Sequence, residues 1–504
     1  MEERWKMSKT GVTLPSHGLW KLLNREELGI IDNAAYKILN DVGVFMDDAE
    51  LLKNAEKMGF SVDYEKKVVT EIPEHIVREN VAKAPKNFLL AGRDPEWDLI
   101  FEGPGRKQFW APECGATDRL EWDEKKKTYV RRRAGSKDTL YAAKIVDGID
   151  DFDHNIYLYD AAEEGQLGLP SELNKMNAML QGTTKWAGHL CTTVSDIKEH
   201  DYVAKLGAEV AGGAEELRKR PLFWTVYNYI GTLQLNRFNS WLLRAAIKHH
   251  FPIMPAVTAA APLQGPAMAA GNAALSHAGV LFMIALQQHY DPGTAVVANN
   301  IVFCMDPMTG RGAIGSAHFT VGQNAMNQLW HELYGLPTAQ YGGCNAASLD
   351  QQAFVLMGHM MLQVAMGTDM VFIQHAGEAL DPAMIPVTAE IAHYGKHLAS
   401  NFDQILPTAE NLALDVIKEV GVMGEGWITH KYNIDRLDRF YKSFCLDTSA
   451  FDTWLAEGAP SWVYVRCREK LKELEKHEPK PLPKDTVARM NAIVKEGNEK
   501  LKVG

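Results

Sequence analysis

The stretch between Asp291 and Glu378 decides the fold. GTAVVANN (293–300), PTAQYGGC (337–344) and TDMVFIQHAG (368–377) are apolar, strand-like runs separated by two small-residue helical stretches. Parallel strands buried on both faces read as near-continuous apolar runs, and the crossover between them usually needs a helix. Where such units recur, the residues just past each strand end converge on one mouth, the usual place for chemistry. Here those residues are Asn299 and Asn300, then Gly342, Gly343, Cys344 and Asn345, then His375 and Glu378. The pattern alone makes the chain an enzyme candidate.

Working outward, eight strands are expected at 107–111, 155–159, 185–190, 222–227, 252–258, 295–300, 338–343 and 370–375. Helical patterns at 208–218, 239–249, 267–289 and 317–333 lie between them. Eight βα units over roughly 270 residues match a (β/α)₈ TIM barrel. A doubly wound sheet usually has fewer strands and a Gly-rich phosphate turn, and neither GxGxxG nor a P-loop occurs. The barrel core is expected over 105–399. Residues 1–104 read as an N-terminal α/β cap: Asn24 to Glu27 open a helix with Leu28, Ile31, Ala35, Ile38 and Leu39 at helical spacing. A short helix at 47–58, a strand at 67–72 and a helix after Pro73 follow. Gly103-Pro104-Gly105 marks the boundary by turn chemistry. Residues 400–504 read as a helical C-terminal extension whose Lys- and Glu-rich end, 470–500, is a solvated face.

The 504 residues suffice for a large core, and a formal charge of −11 argues against a nucleic-acid surface. The stretch 251–290 has no Asp, Glu, Lys or Arg, yet Pro, Gly, Asn, Gln and His interrupt it, so a buried core helix is expected rather than a membrane span. The opening MEERWKMSKTG lacks the apolar region of a secretory signal. Six dispersed cysteines without a CxxC pair fit reduced thiols, and a cytoplasmic location is expected.

The expected strand ends carry Trp110 and Glu113, Tyr159 and Asp160, His189 and Cys191, Tyr227 to Tyr229, Thr258, Asn299 and Asn300, Cys344 and Asn345, and His375 and Glu378. Aromatics and amides dominate, and none of these ends supplies the Arg or Lys that a phosphate would want. A permanently cationic group wants aromatic faces with a few acidic partners. Each aromatic taken singly is more often a packing residue. His189 and Cys191 form a weak HxC pair, and His331-Glu332 lacks the second histidine of HExxH.

Further stretches carry a family resemblance. They are VVTEIP (68–73), LAGRD (90–94), PLQGP (262–266) ahead of Ala270-Gly271, DPGT (291–294) and DPMTG (306–310) with Gly315-Ser316. YGLP (334–337) and Gly343-Cys344-Asn345 through DQQA (350–353) complete the set. In order and spacing the chain resembles the trimethylamine:corrinoid methyltransferase family, in its non-pyrrolysine, glycine betaine methyltransferase-like branch. The resemblance implies a (β/α)₈ barrel that moves a methyl group from a methylated amine to the Co(I) corrinoid (cobalamin-type) of a separate small protein. The pyrrolysine of the trimethylamine enzymes falls at or next to Cys344. The chain departs from the family past Glu378, where 385–397 brings Glu390, His393 and Tyr394.

A quaternary ammonium has no N–H to orient and is held by π faces, worth roughly 0.5–2 kcal/mol each. Its leaving group is a neutral amine, so alignment and exclusion of water are the protein's main task. Trp110, Tyr159, Tyr227 and Tyr229 are the expected cage, and His189, Asn228, Asn299 and His375 the grip on the substrate's polar end. Glu113 and Glu378 offset the charge, and Glu113, His375 and Cys344 are the candidates closest to the reaction. No metal bound directly by this chain is expected, since the corrinoid signature DxHxxG is absent. The partner is expected to dock over the mouth, with 258–271 offering close backbone approach, and the chain to form a homo-oligomer. Two other readings are a barrel metallohydrolase using His189, Cys191 and His375, and a non-catalytic barrel that binds a quaternary amine.

Overall fold

The computed structural model describes all residues except 1–8, 15–18, 124, 127, 191–195, 231–232, 307, 311, 314, 344–347, 375–376, 423, 425 and 503–504. Helix Arg25–Asp41 begins as its sequence dictates: Asn24 accepts from the Glu26 and Glu27 amides, and Glu27 reaches back to the Asn24 amide. Gly43 then turns the chain at φ 81°, where a Cβ would lie 2.0 Å from the Val69 carbonyl oxygen, so only glycine fits. Helices Ala49–Lys57 and Glu74–Val81 and strand Val68–Thr70 stand where expected. Val44–Met46 and Ser61–Asp63 flank that strand, and Gln234–Leu235 joins the same small sheet from the far side of the sequence.

Two four-stranded sheets form the centre. In one, Lys107–Glu113, Met370–Gln374 and Ala339–Gly342 run parallel, with Val12–Thr13 antiparallel at the edge. In the other, His189–Leu190, Trp224–Ile230, Ile253–Ala261 and Asn299–Cys304 are all parallel. Isolated parallel bridges connect them: Ala298 with Thr338, His154 with Trp186, and Ala116 with Tyr159. The fold is mixed α/β. Continuous ladders do not run round an eight-stranded barrel among the described residues, because 155–159 meets its neighbours through bridges only.

Strand limits also shift. The run expected at 295–300 pairs over Asn299–Cys304, so both asparagines open a strand instead of closing one. Asn300 survives inside because its amide donates to Ser276 Oγ and its carbonyl oxygen accepts from the Trp330 indole. Tyr227 and Trp110 lie within strands Trp224–Ile230 and Lys107–Glu113, short of their ends.

Helix Ala269–Tyr290 is long and apolar enough to cross a membrane, but it is buried from Asn272 to Gln288. An antiparallel hairpin, Asp118–Asp123 with Thr128–Arg133, was not expected, and Ala379–Leu380 extends it. After helix Met384–Ser400, the short helices Ala409–Leu412, Leu414–Val420, Lys431–Ile434 and Phe451–Ala456 contain no buried residue. Buried Glu390 anchors this extension, accepting from Ser443 Oγ and the Cys445 amide, while His393 bridges Asp151 and the Lys442 carbonyl. The last helix, Lys484–Lys500, buries Met490 and Val494, so only its outer side is solvated.

Candidate functional site

In a strand, alternate residues share a face. Phe109, Ala111 and Glu113 therefore lie together, and the ladder sets Phe372 beside Ala111 and Tyr341 beside Phe372. Trp224 shares its face with Val226. Ring contacts join these faces across the sheets. Phe372 is 5.1 Å from Tyr341, 5.4 Å from His189 and 5.7 Å from His154, centroid to centroid. Trp224 packs edge-on to Trp186 at 4.8 Å, and Tyr157 edge-on to His189 at 6.3 Å. These rings are all buried. The facing surfaces of the two sheets thus form an aromatic interior with two imidazoles in it.

The interior is poor in charge. Burial, with a smaller push from Lys175, holds His189 down to about 3, and burial takes His154 well below its ordinary value, so both rings are neutral. The Trp224 indole donates to His189 Nδ1 at 2.6 Å, while Nε2 of His189 and both nitrogens of His154 have no partner among the described residues. The Lys175 ammonium lies 3.7 Å from the Tyr157 ring centroid, 2.9 Å from Glu172 and 3.6 Å from Asp160. A cation on an aromatic face, flanked by carboxylates, is already built into this wall. At the end of its strand, Glu113 is buried on the interior face; burial first, and then its charge, pushes the adjacent Cys114 thiol up.

The structure brings Glu113, His189 and Asn299 to this interior, but not Trp110, Tyr159 or Tyr227. Trp110 is on the opposite face, against Gly395 of helix Met384–Ser400, where an added Cβ would fall 2.4 Å from the indole. Tyr159 is buried with its hydroxyl donating to the Leu380 carbonyl at 3.0 Å, and Tyr227 is one residue out of phase with Trp224 and Val226. Asn299 opens its strand in register with Ala256, on the face that carries Val226 and Trp224, and is buried there with its amide 3.8 Å from Met254 Sδ. Glu378 is exposed, 3.4 Å from Arg131 of the hairpin. Cys191, Cys344, Asn345 and His375 lie outside the described residues, as do the side chains of Asn228 and Tyr229. The residues missed, Trp186, Trp224, Tyr341 and Phe372, sit inside strand runs; two-residue alternation was the signal that could have found them.

Comparison with known proteins gives the class. Relatives covering nearly the whole chain are named methyltransferases, and this chain is a methyltransferase. It is 26% identical over 484 residues to a trimethylamine methyltransferase of Desulfitobacterium hafniense, covering 94% of this chain and 92% of that one. It is 26% identical over 486 residues to one of Methanosarcina barkeri, covering 94% of each. A glycine betaine methyltransferase of Desulfitobacterium hafniense is 24% identical over 497 residues, covering 96% of this chain and 98% of that one. The family described as trimethylamine methyltransferase (MTTB) matches residues 4–501, and the chain belongs to it. The solved monomethylamine methyltransferase of Methanosarcina barkeri shares the fold at a TM-score of 0.50 and 9% identity, over 94% of this chain and 91% of that one. A hydroxylamine complex of MtmB gives a TM-score of 0.51 at 10% identity, with the same coverage.

Proposed function

We propose that this chain takes a methyl group from a quaternary amine of the glycine betaine kind and delivers it to the Co(I) corrinoid of a separate protein. The aromatic, charge-poor interior around Phe372, Trp224 and Trp186 is the observation that carries this reading. A methylated cation loses its hydration there and gains π faces in return. Glu113, buried at the strand end, supplies the negative charge that a neutral cage lacks. The relative named for glycine betaine supports a substrate with a carboxylate at its far end.

The two sheets, with 155–159 between them, are read as one barrel over 105–399, capped by 1–104 and extended by 400–504. Exposed Leu263, Met268 and Met308 follow strands Ile253–Ala261 and Asn299–Cys304 at the same end as Glu113, and fit an apolar group presented by a docked partner. When docked, the corrinoid supplies the nucleophile. The chain's own residues hold the N–CH₃ bond in line and keep water out; a neutral amine leaves, so no side chain has to donate a proton.

The test is incubation of the full chain with reduced cobalamin and a panel of methylated amines, following methylcobalamin absorbance. Methyl transfer from glycine betaine but not from trimethylamine is the expected result. Transfer from trimethylamine alone, or from no amine in the panel, removes the reading.

A further inference from the structure

The hydrogen bond between Trp224 and His189 determines which nitrogen of His189 carries the proton. An indole N–H can only donate, so the nitrogen that faces it must present a lone pair. Trp224 Nε1 lies 2.6 Å from His189 Nδ1, with the two ring planes 18° from parallel. The proton of the neutral imidazole is therefore on Nε2, on the side of the ring away from Trp224. Phe372 and Tyr157 stand edge-on to the imidazole at 5.4 Å and 6.3 Å and restrain its plane. His189 is 1% exposed, and its Nε2 meets no partner among the described residues. A buried N–H without an acceptor is costly, which makes this atom a place where a ligand acceptor belongs.

We propose that Trp224 is a positioning residue: by fixing the Nε2–H tautomer it makes His189 the donor that takes the anionic end of a zwitterionic quaternary amine. This deepens the quaternary-amine reading and rests on it. The two ends of such a substrate need opposite treatment, π faces for the ammonium and an N–H for the carboxylate. A neutral donor suits this interior better than a second ammonium, which would repel the methylated cation. Among the described residues, the titratable groups facing His189 are Tyr157, edge-on to it, Lys175, which pairs with Glu172 on helix Ser171–Gly182, and His154. Burial keeps the imidazole neutral, so the donor persists across the range in which the substrate's carboxylate is ionised.

Two measurements on the full chain test this. In protein labelled with ¹⁵N-histidine, the long-range proton–nitrogen spectrum of His189, assigned by its loss in His189→Gln, is expected to show Nε2–H alone. Trp224→Phe is expected to give a mixture of tautomers. An Nδ1–H or imidazolium pattern in the wild type overturns the proposal. Separately, calorimetry is expected to show Trp224→Phe losing about tenfold more affinity for glycine betaine than for tetramethylammonium, a difference equivalent to about 1.4 kcal/mol. Equal weakening of both ligands, or of neither, also overturns it. If Trp224→Phe does not fold, His189→Gln and His189→Leu replace it. Gln, which keeps an N–H, is expected to retain glycine betaine, and Leu to lose it; equal affinities refute the donor. Wild type that binds neither ligand sinks the quaternary-amine reading and the donor role with it, while the spectrum still decides what Trp224 does.

Discussion

His277 Nε2 lies 2.9 Å from Asp32 Oδ1, joining the buried helix Ala269–Tyr290 to helix Arg25–Asp41. The same carboxylate accepts from the Tyr334 hydroxyl and from Arg78 at 2.7 Å. One carboxylate thus gathers partners from three places in the sequence, and removing it leaves His277 Nε2 without its partner and Tyr334 with only the Tyr36 hydroxyl. Asp32→Ala is expected to destabilise the chain by about 3 kcal/mol, as breaking a buried pair does. Urea unfolding followed by tryptophan fluorescence should show the midpoint fall. A midpoint equal to wild type would mean that the two helices are held together by their apolar contacts alone.

The buried histidines give stability a definite dependence on pH. Burial holds His189 at about 3 and His200 and His359 at about 4, against 6.5 in an unfolded chain. As pH falls through 6.5 the unfolded chain binds protons that the native chain refuses, so stability drops. Glu199 runs the other way. Burial raises it to about 8 from 4.5, so the native chain keeps a proton there that the unfolded chain has released, and stability drops as pH rises through that window. Between 4.5 and 6.5 three histidines outweigh one glutamate. Stability is expected to climb with pH up to about the ordinary histidine value, then to ease downward until Glu199 ionises. Thermal unfolding across that range checks it; a maximum below pH 5 contradicts it.

The parallel core was legible because buried strands are apolar on both faces, and the cap helix because Asn24 and Glu27 state its start. The interior was less legible, for the same reason. In Lys107–Glu113, Phe109 and Trp110 are adjacent and both apolar, so nothing local says which one faces the neighbouring sheet. Only the pairing of Ala111 with Phe372 settles the phase. Asn300 misled in another way. Polar groups usually end an apolar run, but here Ser276 and Trp330 satisfy the side chain inside the strand. The hairpin Asp118–Arg133 escaped notice because its strands, DRLEWD and TYVRRR, carry charges that pair with each other and with Asp138, and its apolar face is reduced to Leu120, Trp122 and Tyr129.

The orientation of Trp110 can be tested through its neighbour. A methyl group at Gly395 would fall 2.4 Å from one indole carbon and 2.7 Å from the next, in a region with no slack. Gly395→Ala is expected to cost about 2 kcal/mol by overpacking. Combining it with Trp110→Leu should cost less than the sum of the two single changes, because the smaller side chain makes room. Strict additivity in urea unfolding would show that the two do not touch. Because the indole faces the helix, a folded Trp110→Phe variant should bind glycine betaine as well as wild type.

The interior rings behave differently if they are the cage. Replacing Phe372 by Leu keeps bulk and removes the π face that Tyr341, His189 and Trp224 surround. The loss expected for one desolvated cation–π contact is roughly 0.5–2 kcal/mol, a fall of about two- to thirtyfold in affinity. Shape alone would weaken a neutral isostere, with carbon in place of the ammonium nitrogen, just as much; a π contact would not. Calorimetry with glycine betaine and its carbon analogue therefore separates the two causes. Glu113→Gln extends the comparison, since it removes a charge and leaves the volume nearly unchanged. It should weaken tetramethylammonium and glycine betaine alike and spare the isostere. If both variants weaken the isostere as much as the cation, the aromatic interior is packing and the methyl donor binds elsewhere.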